Sequence, residues 1–427
     1  GLRRSLVRVL VQSIVMSLVV LLVLSLALGY AVVHSGGIDP AIWNVTMLVI
    51  GCAGAVQFLR PRRGRTVLDR WSTALLAVIA LLSAVQVVPL PLAWIQVLSP
   101  LRYHDIQATS LFRTLPCSAP LSAAPGETIQ YLLTLGGCLV TFLVVRSISA
   151  ERAARPWIVT WPLLAIGAGQ ALLGFVQAYA RTGEGLARGT YQNRDHYSAL
   201  LELILPFALL YPLAILQRSL VAHESPAWPA LKACLPLVTA ALVLVGVVHS
   251  LSRGGFLSAL GSLLVCGSLA FTLRGRRVRY SDLSISRLRR ALPVMTVGLV
   301  VLLGFIYLPT DPLIARFSEL AQTDDISADT RAQIWRDTAS MVPAYRWLGA
   351  GWGTYQYTFL RFKSVAPMHT VDYVHNDYLQ VLVEAGPLVF VLGILFLLRM
   401  IAGALRSAGY GLSPDQRYLA IASVGDR

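Results

Sequence analysis

Apolar stretches of membrane-crossing length recur along almost the whole chain, separated by short connections rich in arginine. An α-helical span needs roughly 20 predominantly apolar residues. Such stretches run near 6–33, 41–59, 72–98, 128–149, 157–180, 199–216, 231–250, 255–273, 291–309 and 378–400, and an eleventh begins at Tyr418-Leu419-Ala420-Ile421-Ala422. A soluble fold is excluded by composition. Of 427 residues, 56% are hydrophobic and only 13% charged, too little charge to cover a water-facing surface. The first stretch is longer than a secretory signal and lacks a small-residue cleavage site after a short apolar core, so it reads as a retained helix. The expected fold is an all-α polytopic membrane protein with about 10–12 transmembrane helices. It divides into a helical domain over 1–308, a partly helical loop subdomain over 309–376 and C-terminal helices over 377–427.

The net charge of +15 raises the question of nucleic acid, and the placement of the charge answers it. Only Lys232 and Lys363 are lysines; the arginines concentrate in runs such as Arg60-Pro61-Arg62-Arg63-Gly64-Arg65 and Arg274-Gly275-Arg276-Arg277-Val278-Arg279. Such runs between spans are topology determinants, and no basic stripe interleaved with aromatics marks a nucleic-acid surface. With Arg3, Arg4 and Arg8 placed in the cytoplasm, the inner loops become 60–71, 146–156, 217–230, 274–290 and 399–417. Together with the N-terminal arm and Lys232 they hold 23 of the 36 basic residues. The outer connections then include two long ones, 99–127 and 309–376, and long ordered loops are where function concentrates. Cysteine adds nothing: Cys52, Cys138, Cys234 and Cys266 lie in apolar spans, Cys117 stands alone, and no Cys/His spacing suggests a metal.

Three polar clusters fall on the outer face of this topology. Arg188-Gly189-Thr190-Tyr191-Gln192-Asn193-Arg194-Asp195-His196-Tyr197 precedes the sixth span, so its basic groups meet a helix N-terminus, where unpaired N–H groups favour an anion. The same residues would also serve as a solvated interfacial loop. Ser250-Leu251-Ser252-Arg253-Gly254-Gly255 forms the whole outer connection between the seventh and eighth spans. Arg253 there is either snorkelling or aimed at a ligand, and the two glycines leave room for close approach. Asp372-Tyr373-Val374-His375-Asn376-Asp377-Tyr378 lies where the large loop re-enters the membrane. His375 can exchange a proton near neutral pH with Asp372 or Asp377 to orient it, although a lone interfacial histidine is more often structural. Arg331 and Arg336, five residues apart, do not share a helix face well. Glu202 and Glu384 lie inside spans, where a carboxylate is usually paired; either would hold an arginine, or less readily relay a proton. Several arginines, one histidine and lipid access suit an anionic, lipid-linked ligand, because guanidinium forks grip phosphate oxygens without a metal.

Four of these elements, in order over about 190–390, resemble the membrane core of the O-antigen ligase/polymerase family. They are Gly189-Thr190-Tyr191-Gln192-Asn193-Arg194-Asp195-His196-Tyr197; Ser252-Arg253-Gly254-Gly255; Thr330-Arg331-Ala332-Gln333-Ile334-Trp335-Arg336 with Leu348-Gly349-Ala350-Gly351-Trp352-Gly353; and His375-Asn376-Asp377-Tyr378-Leu379-Gln380 with Glu384-Ala385-Gly386. The first 150 residues match only in hydropathy. The resemblance implies a GT-C-like glycosyltransferase of the bacterial inner membrane with a periplasmic active site. Its donor would be an undecaprenyl-diphosphate-linked glycan, and its acceptor a hydroxyl of lipid A–core or of another glycan. Under that resemblance Arg194 and Arg253 hold the diphosphate, with Arg331 and Arg188 as further contributors. His375 serves as general base, and Asn193, Tyr191, Asn376, Asp377 and Tyr378 support the site. Transfer would be inverting, with no metal and no cofactor. Within the family the ligase reading stands beside a polymerase reading. From another class comes a lipid-glycan flippase, which expects ionisable groups at mid-membrane depth rather than at one mouth.

Overall fold

The computed structural model describes residues 2–60, 68–109, 114–179, 186–222, 225, 227–272, 328–364, 371–411 and 413–425. Over these residues the chain is an all-α polytopic membrane protein: eight helices are long and apolar enough to cross a membrane. In chain order the elements are α1 (Leu2–Val33), α2 (Pro40–Leu59), α3 (Arg70–Val85), β1 (Pro89–Pro91), α4 (Leu92–Leu98), α5 (Pro100–Thr109), β2 (Ser118–Pro120) and α6 (Pro125–Glu151). Then follow α7 (Trp161–Tyr179), α8 (Arg194–Val221), α9 (Ala227–His249), α10 (Arg253–Thr272), α11 (Ala328–Tyr345), α12 (Tyr355–Thr358), α13 (Asp377–Glu384), α14 (Gly386–Tyr410) and α15 (Pro414–Gly425). The span expected at 291–309 lies outside the described residues.

Two expected spans differ from a single helix. The stretch 72–98 is broken after Val85, because Pro89 and Pro91 cannot donate to a continuing helical ladder. The freed segment pairs instead, Leu90 opposite Ala119 in a two-stranded antiparallel ribbon, before α4 resumes. The stretch 378–400 is interrupted at Ala385-Gly386, where Gly386 adopts φ +84; α13 ends there and α14 begins. A Cβ on Gly386 would come within 2.4 Å of the Trp347 carbonyl oxygen, so backbone approach as well as dihedral selects glycine.

The chain forms two units. The first comprises Gly1–Val67, Val140–Ser318 and Ile401–Arg427. Its centre is α8, whose Leu201, Ile204, Leu205 and Ala208 are wholly buried against α7, α9, α10 and α15. A helix apolar on all sides is stable only when neighbours surround it, which the Leu/Ile/Ala composition of α8 anticipates. A second core in this unit packs Leu24 and Ala27 of α1 and Ile50 and Ala53 of α2 on Val144 and Ile148 of α6. At its end the Gln57 amide donates to Ser147 Oγ at 3.0 Å and to Glu151 at 3.1 Å, satisfying polar atoms that lipid would leave unpaired.

The second unit comprises Leu68–Leu139 and Glu319–Met400. Its core joins Ile334 and Met341 of α11 to Tyr355, Phe359, Val374 and Val383. The turn Leu348–Gly353 is tied down in part by the side chain of Gln86. Gln86 donates from Nε2 to the carbonyls of Leu348 at 2.6 Å and Glu384 at 2.9 Å, and its Oε1 accepts the Trp352 N–H at 3.1 Å. Three buried backbone groups are satisfied at once. Gln86→Ala orphans the Leu348 carbonyl and the Trp352 N–H, at about 1–3 kcal/mol for each group left unsatisfied, while the Glu384 carbonyl keeps the Gly351 N–H at 3.0 Å. The expected outcome is a thermal midpoint in detergent several degrees below wild type, read by loss of the monodisperse peak after heating; an unchanged midpoint would show that water replaces the amide.

Candidate functional site

In the first unit the arginine-bearing loops converge because of small residues and two glutamines. Tyr197, in the first turn of α8, is completely buried. A Cβ placed on Gly174 of α7 would lie 2.0 Å from its hydroxyl, one on Gly246 of α9 2.6 Å from it, and one on Gly189 2.8 Å from its ring. The phenol therefore fills a slot that three glycines open. Gly189 also adopts φ +56, a conformation that side chains disfavour.

Around that wedge the 186–193 loop is fastened to α7. Gln177 Oε1 accepts the N–H groups of Arg188 at 3.1 Å and Gly189 at 2.8 Å, and its amide donates to the Gly189 carbonyl at 2.7 Å. Gln170, two helical turns earlier, accepts the Thr190 N–H at 3.0 Å and its hydroxyl at 3.2 Å. The Ala187 N–H then donates to the His249 carbonyl at 3.0 Å, joining the loop to the end of α9, just before Arg253. Tyr191 lies beside Gly36, at the turn between α1 and α2, and is a packing residue of the same loop. The exposed Arg188 thus has its backbone held and its guanidinium outward.

Arg194 and Arg253 are each the first residue of a helix, α8 and α10. Asn193 Oδ1 caps α8 by accepting the Asp195 N–H at 2.8 Å, and Ser252 Oγ accepts the Gly255 N–H at 3.2 Å at the start of α10. These caps follow from Asn and Ser at the position before a helix. The two helix starts lie side by side: a Cβ on Gly255 would fall 1.8 Å from Ser198 Oγ. Two guanidinium groups therefore stand at two adjoining helix N-termini, where the backbone already carries partial positive charge. Cations at that end are electrostatically disfavoured unless an anion joins them. Asp195, exposed in the first turn of α8, supplies one negative charge. Two turns further along α8, Glu202 is hydrogen-bonded by Ser258 of α10 rather than by an arginine, and both line a pocket of about 310 Å3 with Ser262 and Gly425.

In the second unit the histidine cluster is built on α11 and α13. His375 is exposed and adopts φ 55, a left-handed conformation that costs a residue with a Cβ roughly 1–2 kcal/mol. Asn376 caps α13, its Oδ1 accepting the Leu379 N–H at 3.2 Å, and Asp377 and the exposed Tyr378 open that helix. The exposed Arg331 lies near the start of α11 in the same unit. Glu384, at the end of α13, does not hold an arginine as its place in the sequence suggests. Its two carboxylate oxygens accept the N–H groups of Gly353 and Tyr355, each at 3.0 Å, so it braces the glycine-rich turn. Tyr355 itself is buried, which pushes its phenol pKa up, against the lowering effect of its hydrogen bond with Thr338.

The structure thus groups Arg188, Tyr191, Asn193, Arg194 and Arg253 in one unit, and Arg331, His375, Asn376, Asp377 and Tyr378 in the other. Gln170, Gln177 and Gln86, which do much of the holding, stand out in the sequence only as polar residues in apolar runs. Among the described residues no group of three or more His, Cys, Asp or Glu side chains is arranged to hold a metal ion.

These features define a polytopic membrane protein with a positively charged corner built from two helix starts. Residues 238–394 match the family model described as O-antigen ligase, the family that the four motifs resemble. The match includes Arg253, Arg331, His375 and Glu384, whereas Arg188 and Arg194 precede it. No curated protein matches the chain. The matched region is thus similar to the O-antigen ligase model and covers less than half of the chain.

The contact of α8 with α10 yields a paired test. Gly255→Ala drives a methyl into Ser198 and should cost about 1–3 kcal/mol through overpacking. Gly254→Ala meets nothing within 4 Å and should leave the thermal midpoint in detergent where it is. Equal midpoints for the two variants would contradict the side-by-side helix starts.

Proposed function

We propose that the chain is a ligase-type glycosyltransferase. It moves a glycan from undecaprenyl diphosphate to an acceptor hydroxyl of lipid A–core, on the periplasmic face of the bacterial inner membrane. The observation that carries this reading is the pair of arginines at adjoining helix starts, Arg194 and Arg253, within a chain whose 238–394 region matches the ligase family. Two guanidinium groups and the first-turn N–H groups suit the oxygens of a diphosphate, and the family resemblance adds Arg188 and Arg331 as further contributors.

In the proposed reaction the acceptor O–H attacks the anomeric carbon as the C1–O bond to the diphosphate breaks. The proton passes to the His375 imidazole, and the electron pair leaves with the diphosphate. Its developing charge is met by groups already oriented before the bond breaks, so little reorganisation is needed. Displacement from the opposite face inverts the anomeric centre. Polymerisation differs only in the acceptor, a second lipid-linked glycan. The flippase reading is less well supported, because the arginines sit at helix starts whereas a transporter would carry its ionisable residues at mid-membrane depth.

Arg253→Ala and His375→Ala should each lower transfer by about 100-fold or more while the protein still purifies as wild type. Arg253→Lys should recover little, since a point charge does not reproduce a two-pronged contact. Full transfer in either alanine variant removes that residue from the mechanism. With purified protein and undecaprenyl-diphosphate-linked repeat units, product should appear only when lipid A–core is added; a ladder growing from donor alone would identify a polymerase. Transfer should persist in excess chelator, and loss restored by a divalent ion would overturn the metal-free course.

A further inference from the structure

We propose that Trp335 is a positioning residue for His375, an inference that rests on His375 being the base. His375 sits at φ 55, in the left-handed region, and a residue with a Cβ stays there only when its neighbours leave it no alternative. Here both neighbours are pinned. Val374 is completely buried, and its carbonyl accepts the Trp335 indole N–H at 3.1 Å. Its own N–H donates to Gln380 Oε1 at 3.4 Å. On the far side the Asn376 side chain caps α13. The bend at His375 is where these two fastened segments meet, and it turns the histidine outward while Val374 stays in the core.

The indole is itself held by the helix that carries it. Ile334, the preceding residue, is buried in a core with Val371, Val374 and Val383. Thr338, one turn on, is bonded to the Ile334 carbonyl at 2.6 Å and to the Tyr355 hydroxyl at 2.8 Å. Helix α11 therefore cannot roll without breaking that core, and the Trp335 donor keeps its place. Trp335 remains 40% exposed, so burying its ring is not the whole of its role. A phenylalanine would supply most of the same apolar contact without the donor.

The test uses the full chain in detergent or nanodiscs, with Trp335→Phe, His375→Ala and the double variant. Trp335→Phe should lower kcat about tenfold, leave KM for the lipid-diphosphate donor within about twofold, and add nothing in the His375→Ala background. Amide hydrogen exchange in peptides covering 371–379 should quicken in Trp335→Phe whether or not His375 is the base. Gln380→Met, which frees the Val374 N–H from the other side, should give the same split and serves as the second variant should Trp335→Phe fail to fold. If Trp335→Phe keeps wild-type kcat while His375→Ala is inactive, the positioning role alone is overturned. Unchanged exchange beside a lowered kcat overturns it too, because the indole then acts by another route. Full activity in His375→Ala overturns the base assignment, and the exchange result then says whether Trp335 holds the loop.

Discussion

A phenol wedged among three glycines sets the geometry of the arginine-bearing corner. Tyr197 leaves no room for a Cβ at Gly174, Gly189 or Gly246, so α7, the 186–193 loop and α9 all close on the first turn of α8. The same turn brings Ser198 against Gly255 and sets the start of α10 beside the start of α8. Packing of small residues is the main means of bringing membrane helices together, because lipid offers apolar side chains no penalty to escape. Here that packing is used at one end of the helices, and what it gathers there is charge.

The gathered charge runs against ordinary helix electrostatics. A helix start favours Asp or Glu, yet α8 and α10 both open on arginine. Each placement alone costs a few tenths of a kcal/mol at an exposed terminus, and placing the two side by side adds their mutual repulsion. On the proposed reading, an arrangement that weakens the empty state gains what it lost when a diphosphate enters, since the anion would meet two guanidinium groups and two sets of backbone N–H donors. The glutamines of α7 fit this logic. Gln170 and Gln177 hold the loop by neutral hydrogen bonds, which fix its backbone without neutralising Arg188 or Arg194.

Much of this was legible in the residues, for reasons that differ between elements. The spans were readable because an apolar run of about 20 residues has few other fates. That Arg194 and Arg253 lie at the starts of membrane helices was readable from the apolar runs that follow them. The break at Pro89 and Pro91 was hidden because the flanking residues are apolar enough to read as one span of 27 positions, 72–98. Glu384 was read as an arginine partner, since a buried carboxylate calls for a cation. Its partners include the N–H groups of Gly353 and Tyr355, which no side-chain pattern reveals. Gln86 escaped for the same reason: all three of its bonds go to backbone groups far along the chain.

The two units apply one principle to different groups. In the first, Gln170 and Gln177 grip backbone atoms on either side of Gly189, whose φ of +56 only glycine adopts cheaply. In the second, Gln380 and Trp335 grip both backbone atoms of Val374, and the residue that must then take the left-handed turn is a histidine. Where nothing but a turn is needed, glycine makes it at least cost. A histidine in that conformation forgoes the easier backbone in exchange for an imidazole at that point of the chain. On the proposed reading of His375 as the base, that strain, maintained by Trp335 and Gln380, keeps an exposed imidazole at a fixed point of the chain.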